Sequence, residues 1–256
     1  MFSIKDWIVI PGGPGLSKEY LKKPFDMITS GLGINLHYYD QYGAPESVTH
    51  DDVTISDLVE QIRIVANEKG LKKFGLIAHS FGTYISLRFA EKYSEMLEAM
   101  IFINPMPLIY SFWRKSLGDI AAKVLPSAQK EIEIEVSRVE DNDGSRLFSL
   151  LFPFYCAKSE VESPKVSFKL KMCNYLANQV ASYDDTRIFE TLGIPVAVIL
   201  GDCDPFYVPG MFPQHSVILL KEVGHYPFYE DIKQFKESLT EVEQKLCRKK
   251  TIKITA

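Results

Sequence analysis

The stretch LKKFGLIAHSFGTYISLRFA, Leu71–Ala90, decides how the rest of the chain is read. An apolar run, Phe74–Ala78, stops at His79 and a lone hydroxyl, Ser80. A helical pattern follows at once, with Ile85, Phe89 and Tyr93 at four-residue spacing. A strained strand-to-helix turn of this kind displays a serine as a nucleophile. The residues two before and two after must then be small, because strand and helix pass close together. Here they are Ala78 and Gly82. Alone, small-x-Ser-x-Gly arises often by chance, so the flanking strand and helix carry the reading.

Working outward, short apolar runs alternate with helical segments. WIVI (7–10) ends at Pro-Gly-Gly-Pro-Gly, INLHYY (34–39) at DQYG, AMIFI (99–103) at Asn104-Pro105 and VAVIL (196–200) at Gly201-Asp202, while SVILL (216–220) leads into KEVGH. Continuous apolar strands separated by helices predict a parallel sheet covered on both faces. Thr54 and Asp57 have capping-box spacing, and Gly70 is placed to end that helix. Leu58, Ile62 and Val65 share one face of it, and Phe235, Leu239, Val242 and Leu246 form a later stripe; both read as core packing. The segment 106–185 breaks the alternation with aromatic clusters and the charged run QKEIEIEVSRVEDNDG. It is expected to be a helical cap inserted over the strand ends.

The chain of 256 residues is long enough for one large core, and its net charge of −4 gives no pull toward nucleic acid or an anionic membrane. Its four cysteines, Cys156, Cys173, Cys203 and Cys247, form no C-x-x-C pair, so neither a zinc site nor a thioredoxin-like motif is suggested. The first residues carry Lys5 and Asp6 beside a short apolar run, unlike a signal peptide, and no stretch has the length of a membrane span. A cytoplasmic protein with reduced thiols is expected. The basic tail CRKKTIKITA reads as a solvated terminus.

A serine nucleophile needs a base, a group that orients the base, and donors for the oxyanion. Of the five histidines, only His225 follows the final strand candidate. His37 lies within a strand run, while His50 and His215 sit among turn formers. His79 adjoins Ser80 and is expected to point away and pack beside the turn. The acid comes from Gly201-Asp202-Cys203-Asp204, where Asp204 is preferred and Asp202 is the competitor. Oxyanion donors are expected from the backbone N–H of Phe81 and from the PGGPG loop, at Gly13 with Gly12 behind it.

Together these residues resemble the α/β-hydrolase superfamily, in which Ser, Asp and His follow one another in this order. The nearest branch is similar to proline iminopeptidases. The resemblance rests on PGGPG (11–15), DQYGAPES (40–47), AHSFG (78–82), GDCD (201–204) and GHYPFYE (224–230). Pro11, Tyr42 and Phe81 stand where that branch carries His, Arg and Trp, and only ten residues precede the glycine loop. The resemblance therefore implies an α/β-hydrolase fold lacking the usual N-terminal β-hairpin, with a mostly parallel sheet of about six strands and no cofactor or metal requirement. The core would be 1–105 and 186–256, and the cap 106–185. In the iminopeptidases cap glutamates hold the substrate's amine. Here Glu131, Glu133, Glu135, Glu140, Glu160 and Glu162 supply acids, none of which aligns with the amine-binding positions.

The expected protein is a serine hydrolase using Ser80, His225 and Asp204 on a small ester, amide or aminoacyl substrate. A narrower version is an aminopeptidase releasing an N-terminal residue such as proline, which a buried unpaired cap carboxylate would favour. A different class is a non-catalytic relative that binds a small molecule, short peptide or partner. The exposed sheet edge left by the missing hairpin could pair two copies into a homodimer.

Overall fold

The computed structural model describes residues 3–47, 52–124, 126–137, 144–158, 160–180 and 183–252. Six strands form one sheet: β1 Asp6–Ile10, β2 Asn35–Tyr38, β3 Phe74–His79, β4 Leu97–Ile103, β5 Val196–Gly201 and β6 Val217–Leu220. Their order is β2-β1-β3-β4-β5-β6, and every pairing is parallel. Each strand coincides with one of the short runs; the inner strands β3, β4 and β5 are buried at nearly every position and so are almost wholly apolar, whereas edge strand β2 is half-exposed and carries Asn35 and His37.

Alternate residues of each strand feed opposite cores. Ile8, Leu76, Phe102 and Val198 face α2 (Ile55–Glu68) and α3 (Gly82–Tyr93), packing on Leu58, Ile62, Ile85 and Phe89. Val9, Ile77, Ile101 and Ile199 face α1 (Glu19–Thr29) and α10 (Ile232–Ile252), packing on Phe25, Phe235, Leu239 and Val242. Burying each such side chain contributes roughly 1.5–3 kcal/mol against unfolding. The Thr54–Asp57 capping box is present, with Thr54 Oγ1 accepting from Asp57 N–H and the Asp57 carboxylate accepting from Thr54 N–H. Gly70 adopts φ +68° just past that helix, a conformation that favours glycine.

Between β4 and β5 lie the cap helices α4 (Tyr110–Lys123), α5 (Pro126–Ser137), α6 (Ser145–Leu151) and α7 (Leu170–Gln179), then α8 (Thr186–Thr191). The short α9 (Pro227–Glu230) follows β6. Strand order reverses between β1 and β3, whose following loops leave side by side; Ile10 pairs with Ala78, so the PGGPG loop starts next to the Ser80 turn. No helix among the described residues is long and apolar enough to cross a membrane.

Candidate active site

Ser80 adopts φ +52°, a left-handed conformation costly for any residue with a Cβ. The turn is held by its backbone. Ser80 N–H donates to Ile103 O at 3.2 Å, and Ser80 C=O accepts from Thr83 N–H, Thr83 Oγ1 and Met106 N–H at 3.0, 2.7 and 3.2 Å. A Cβ on Gly82 would lie 2.5 Å from Pro11 O and 2.8 Å from Ile10 O, so only glycine fits where α3 crosses the end of β1. The small-x-Ser-x-Gly pattern thus has a steric cause in this fold.

His225, 2% exposed, places Nδ1 3.0 Å from both carboxylate oxygens of Asp204. The carboxylate only accepts, so Nδ1 carries a proton and the ring is oriented with Nε2 on the far side. Asp204 is itself oriented by Phe206 N–H, which donates to Oδ1 at 2.9 Å. Asp202 points elsewhere: it accepts from Glu222 N–H at 2.7 Å and lies 3.4 Å from Lys221 Nζ, closing the turn after β6.

Ser80, Phe81, Gly13 and His225 line one cavity of about 670 Å³ beneath the cap. Among the described residues, Ser80 Oγ and His225 are not joined by a hydrogen bond, a spacing common in unliganded sites. The N–H groups of Phe81 and Gly13 donate to no described protein acceptor, whereas Gly12 N–H donates to Tyr20 Oη at 2.6 Å. Of the two candidate glycines, Gly13 therefore has the uncommitted donor. Gln41 brackets this loop, accepting from Gly15 N–H at 3.0 Å and donating to Pro11 O at 2.9 Å.

His79 is turned away from the cavity and fully engaged. Its Nε2 donates to His225 C=O at 2.9 Å, and its Nδ1 accepts from Tyr20 O–H at 2.9 Å. Burial, aided by the neighbouring His225 ring, lowers its pKa well below the usual histidine value, which keeps it neutral. Gly12, Tyr20, His79 and the His225 backbone thus form one hydrogen-bonded chain from the glycine loop to the catalytic-base candidate.

Two further side chains, Glu230 and Asn104, fix the neighbours of His225. Glu230 accepts from Gly224, Tyr226 and Ala157 N–H at 2.8, 3.0 and 2.7 Å, gripping both neighbours of His225 and the cap at once. Asn104, wholly buried at φ +41°, donates to Gly224 O and accepts from Gly201 N–H, both at 2.7 Å. A polar residue ending a wholly apolar strand run was the available signal for Asn104. For Glu230 it was an acid five residues past the histidine in GHYPFYE.

His37 sits at the sheet edge with Nε2 2.9 Å from Asp6 Oδ1. His50, the side chain of His215, Glu140 and the side chains of the basic tail lie outside the described residues. Cys156, Cys173 and Cys203 are free thiols. Among the described residues, no group of three or more His, Cys, Asp or Glu side chains is placed to hold a metal ion.

Comparison with known proteins agrees with this architecture. Residues 8–184 match the family model described as alpha/beta hydrolase fold. A proline iminopeptidase of Chitinophaga pinensis is 27% identical over 59% of this chain and 52% of its own length. One of Thermoplasma volcanium is 21% identical over 93% of this chain and 88% of its own. The chain thus spans about half the length of the first of these relatives and most of the second. A thermophilic esterase from Thermogutta terrifontis superposes with TM-score 0.69 at 19% identity, covering 94% of this chain and 90% of that one, a likeness of fold. The chain belongs to the alpha/beta hydrolase fold family, on a branch similar to the proline iminopeptidases.

Proposed function

We propose that the protein is a serine hydrolase that forms an acyl-enzyme on Ser80, with residues 1–105 and 186–256 as core and 106–185 as cap. One observation carries this reading: a serine held at φ +52° shares a cavity with a histidine whose Nδ1 is bound by both oxygens of a buried aspartate. Binding alone requires none of this.

In the proposed cycle Ser80 Oγ attacks the substrate carbonyl carbon as its proton passes to His225 Nε2. Asp204 stabilises the imidazolium. The oxyanion accepts from Phe81 and Gly13 N–H. Collapse breaks the bond to the leaving group, which takes the proton from His225. Water then repeats the sequence: it loses a proton to His225, attacks the acyl carbon, and releases the acid as Ser80 regains its proton.

A narrower reading, release of an N-terminal residue, draws its support from the names of the curated relatives. Labelling with a fluorophosphonate probe tests the broader one. Wild type is expected to label and Ser80→Ala not; a folded wild type that fails to label, or a Ser80→Ala that still labels, would overturn it.

A further inference from the structure

The cavity wall separates substrate classes that the hydrolytic machinery does not. Its lining is mixed: Phe148, Phe152, Phe168 and Phe206 face it, and its neutral polar groups include Asn174 and Asn178. Among the described residues that line it, none is Asp, Glu or Lys, and the only permanently charged one is Arg114. The described cap glutamates lie elsewhere. Glu131 and Glu135 pair with Arg146 at 3.2 Å each, and Glu133, Glu160 and Glu162 are exposed outside the cavity.

An ammonium group entering this space would lose its water and meet no carboxylate, which is strongly unfavourable. Arg114 would repel it further. Arg114 is exposed on α4, so it stands where the cavity meets solvent, and among the described residues it has no ion-pair partner. A guanidinium without an internal carboxylate is suited to bind one from a ligand, with two parallel N–H donors.

We infer that the cavity takes an apolar acyl ester without a free amine and that Arg114 holds an anionic group carried by that substrate. This rests on the serine-hydrolase reading above and narrows it, away from substrates with a charged N-terminus. The apolar wall supplies affinity in proportion to area buried, up to about fourfold per methylene. Arg114 supplies orientation at the mouth.

The test uses three esters of one acyl length: 4-nitrophenyl hexanoate, 4-nitrophenyl 6-aminohexanoate and mono-4-nitrophenyl adipate. A fourth, the hexanoyl ester of 4-hydroxybenzoate, moves the carboxylate to the leaving group. Wild type and Arg114→Gln are compared by kcat/KM, with fluorophosphonate labelling of Ser80 run in parallel. In wild type the amino ester is expected to be at least about tenfold slower than the hexanoate, since an uncompensated ammonium costs more than that. The ratio of at least one carboxylated ester to hexanoate should fall about twofold to fivefold in Arg114→Gln, the range of a solvent-exposed ion pair. An amino ester turned over as fast as hexanoate, or ratios for both carboxylated esters that ignore Arg114→Gln, would overturn the inference while labelling left the hydrolase reading standing. Absence of labelling would overturn both.

Discussion

Replacing Tyr20 by phenylalanine removes one oxygen from the middle of the buried chain that joins the glycine loop to His225. Tyr20 is 1% exposed; its hydroxyl accepts from Gly12 N–H at 2.6 Å and donates to His79 Nδ1 at 2.9 Å. Both partners are buried, so bulk water cannot replace the lost group. Each hydrogen bond contributes about 1 kcal/mol net, and each buried polar group left unpaired costs about 1–3 kcal/mol. Relaxation around the ring recovers part of this, leaving an expected loss of about 2–4 kcal/mol. Tyr38→Phe provides the matched control, because it deletes the same atom from an exposed hydrogen bond, to Asp26 Oδ1 at 2.8 Å. It should cost less than about 1 kcal/mol. Urea unfolding followed by tryptophan fluorescence measures both, with unchanged slopes required for the comparison. If Tyr20→Phe stays within about 0.5 kcal/mol of wild type, or the two variants lose equally, the reasoning from buried satisfaction fails.

Three other outcomes are expected. Asp204→Asn should lower turnover by about 10³–10⁴-fold through the wrong tautomer of His225, while Asp202→Asn, which touches only a turn, should change it less than about threefold; the reverse order in steady-state kinetics would move the acid role. Gly82→Ala should lose about 1–3 kcal/mol or more, seen as a lower calorimetric midpoint, because its Cβ meets two backbone carbonyl oxygens that cannot move independently. For His79 the folded state holds the pKa below the ordinary 6.5, so its contribution is complete above that pH. As pH falls below 6.5 the unfolded chain takes up a proton that the folded one refuses, and stability should drop by about 1.4 kcal/mol per unit toward the low folded value. Urea midpoints that stay level from pH 7.5 to 5.5 would contradict this.

The strands were readable because parallel strands covered on both faces cannot hide polar residues, so AMIFI and VAVIL announce themselves. The Thr54 cap was equally local. Ser80, His225 and the Asp202/Asp204 pair could be proposed because each stands in the loop that follows a recognisable strand. The supports were not readable in the same way. Tyr20 meets His79 across 59 positions and Asn104 meets Gly224 across 120, and neither distance leaves a periodic trace. Glu230 is near His225 in sequence, but its bond to Ala157 spans 73 positions and depends on how the cap returns to the core. The absence of acids among the described residues of the cavity wall was illegible for a related reason. Counting glutamates between 106 and 185 says nothing about which way their helices face.

The tie between cap and core also restricts how the molecule opens. His225 N–H donates to Tyr155 O at 2.8 Å, and Ala157 N–H donates to the Glu230 carboxylate at 2.7 Å. Lifting the 155–157 segment would break both, at a cost of about 3 kcal/mol, and would keep that open form below about 1% of the population. It would also drag on the loop that carries His225, the proposed base. Among the described residues lining the cavity, Arg114 on α4 and Asn174 and Asn178 on α7 are exposed, so solvent meets the cavity there without disturbing that tie.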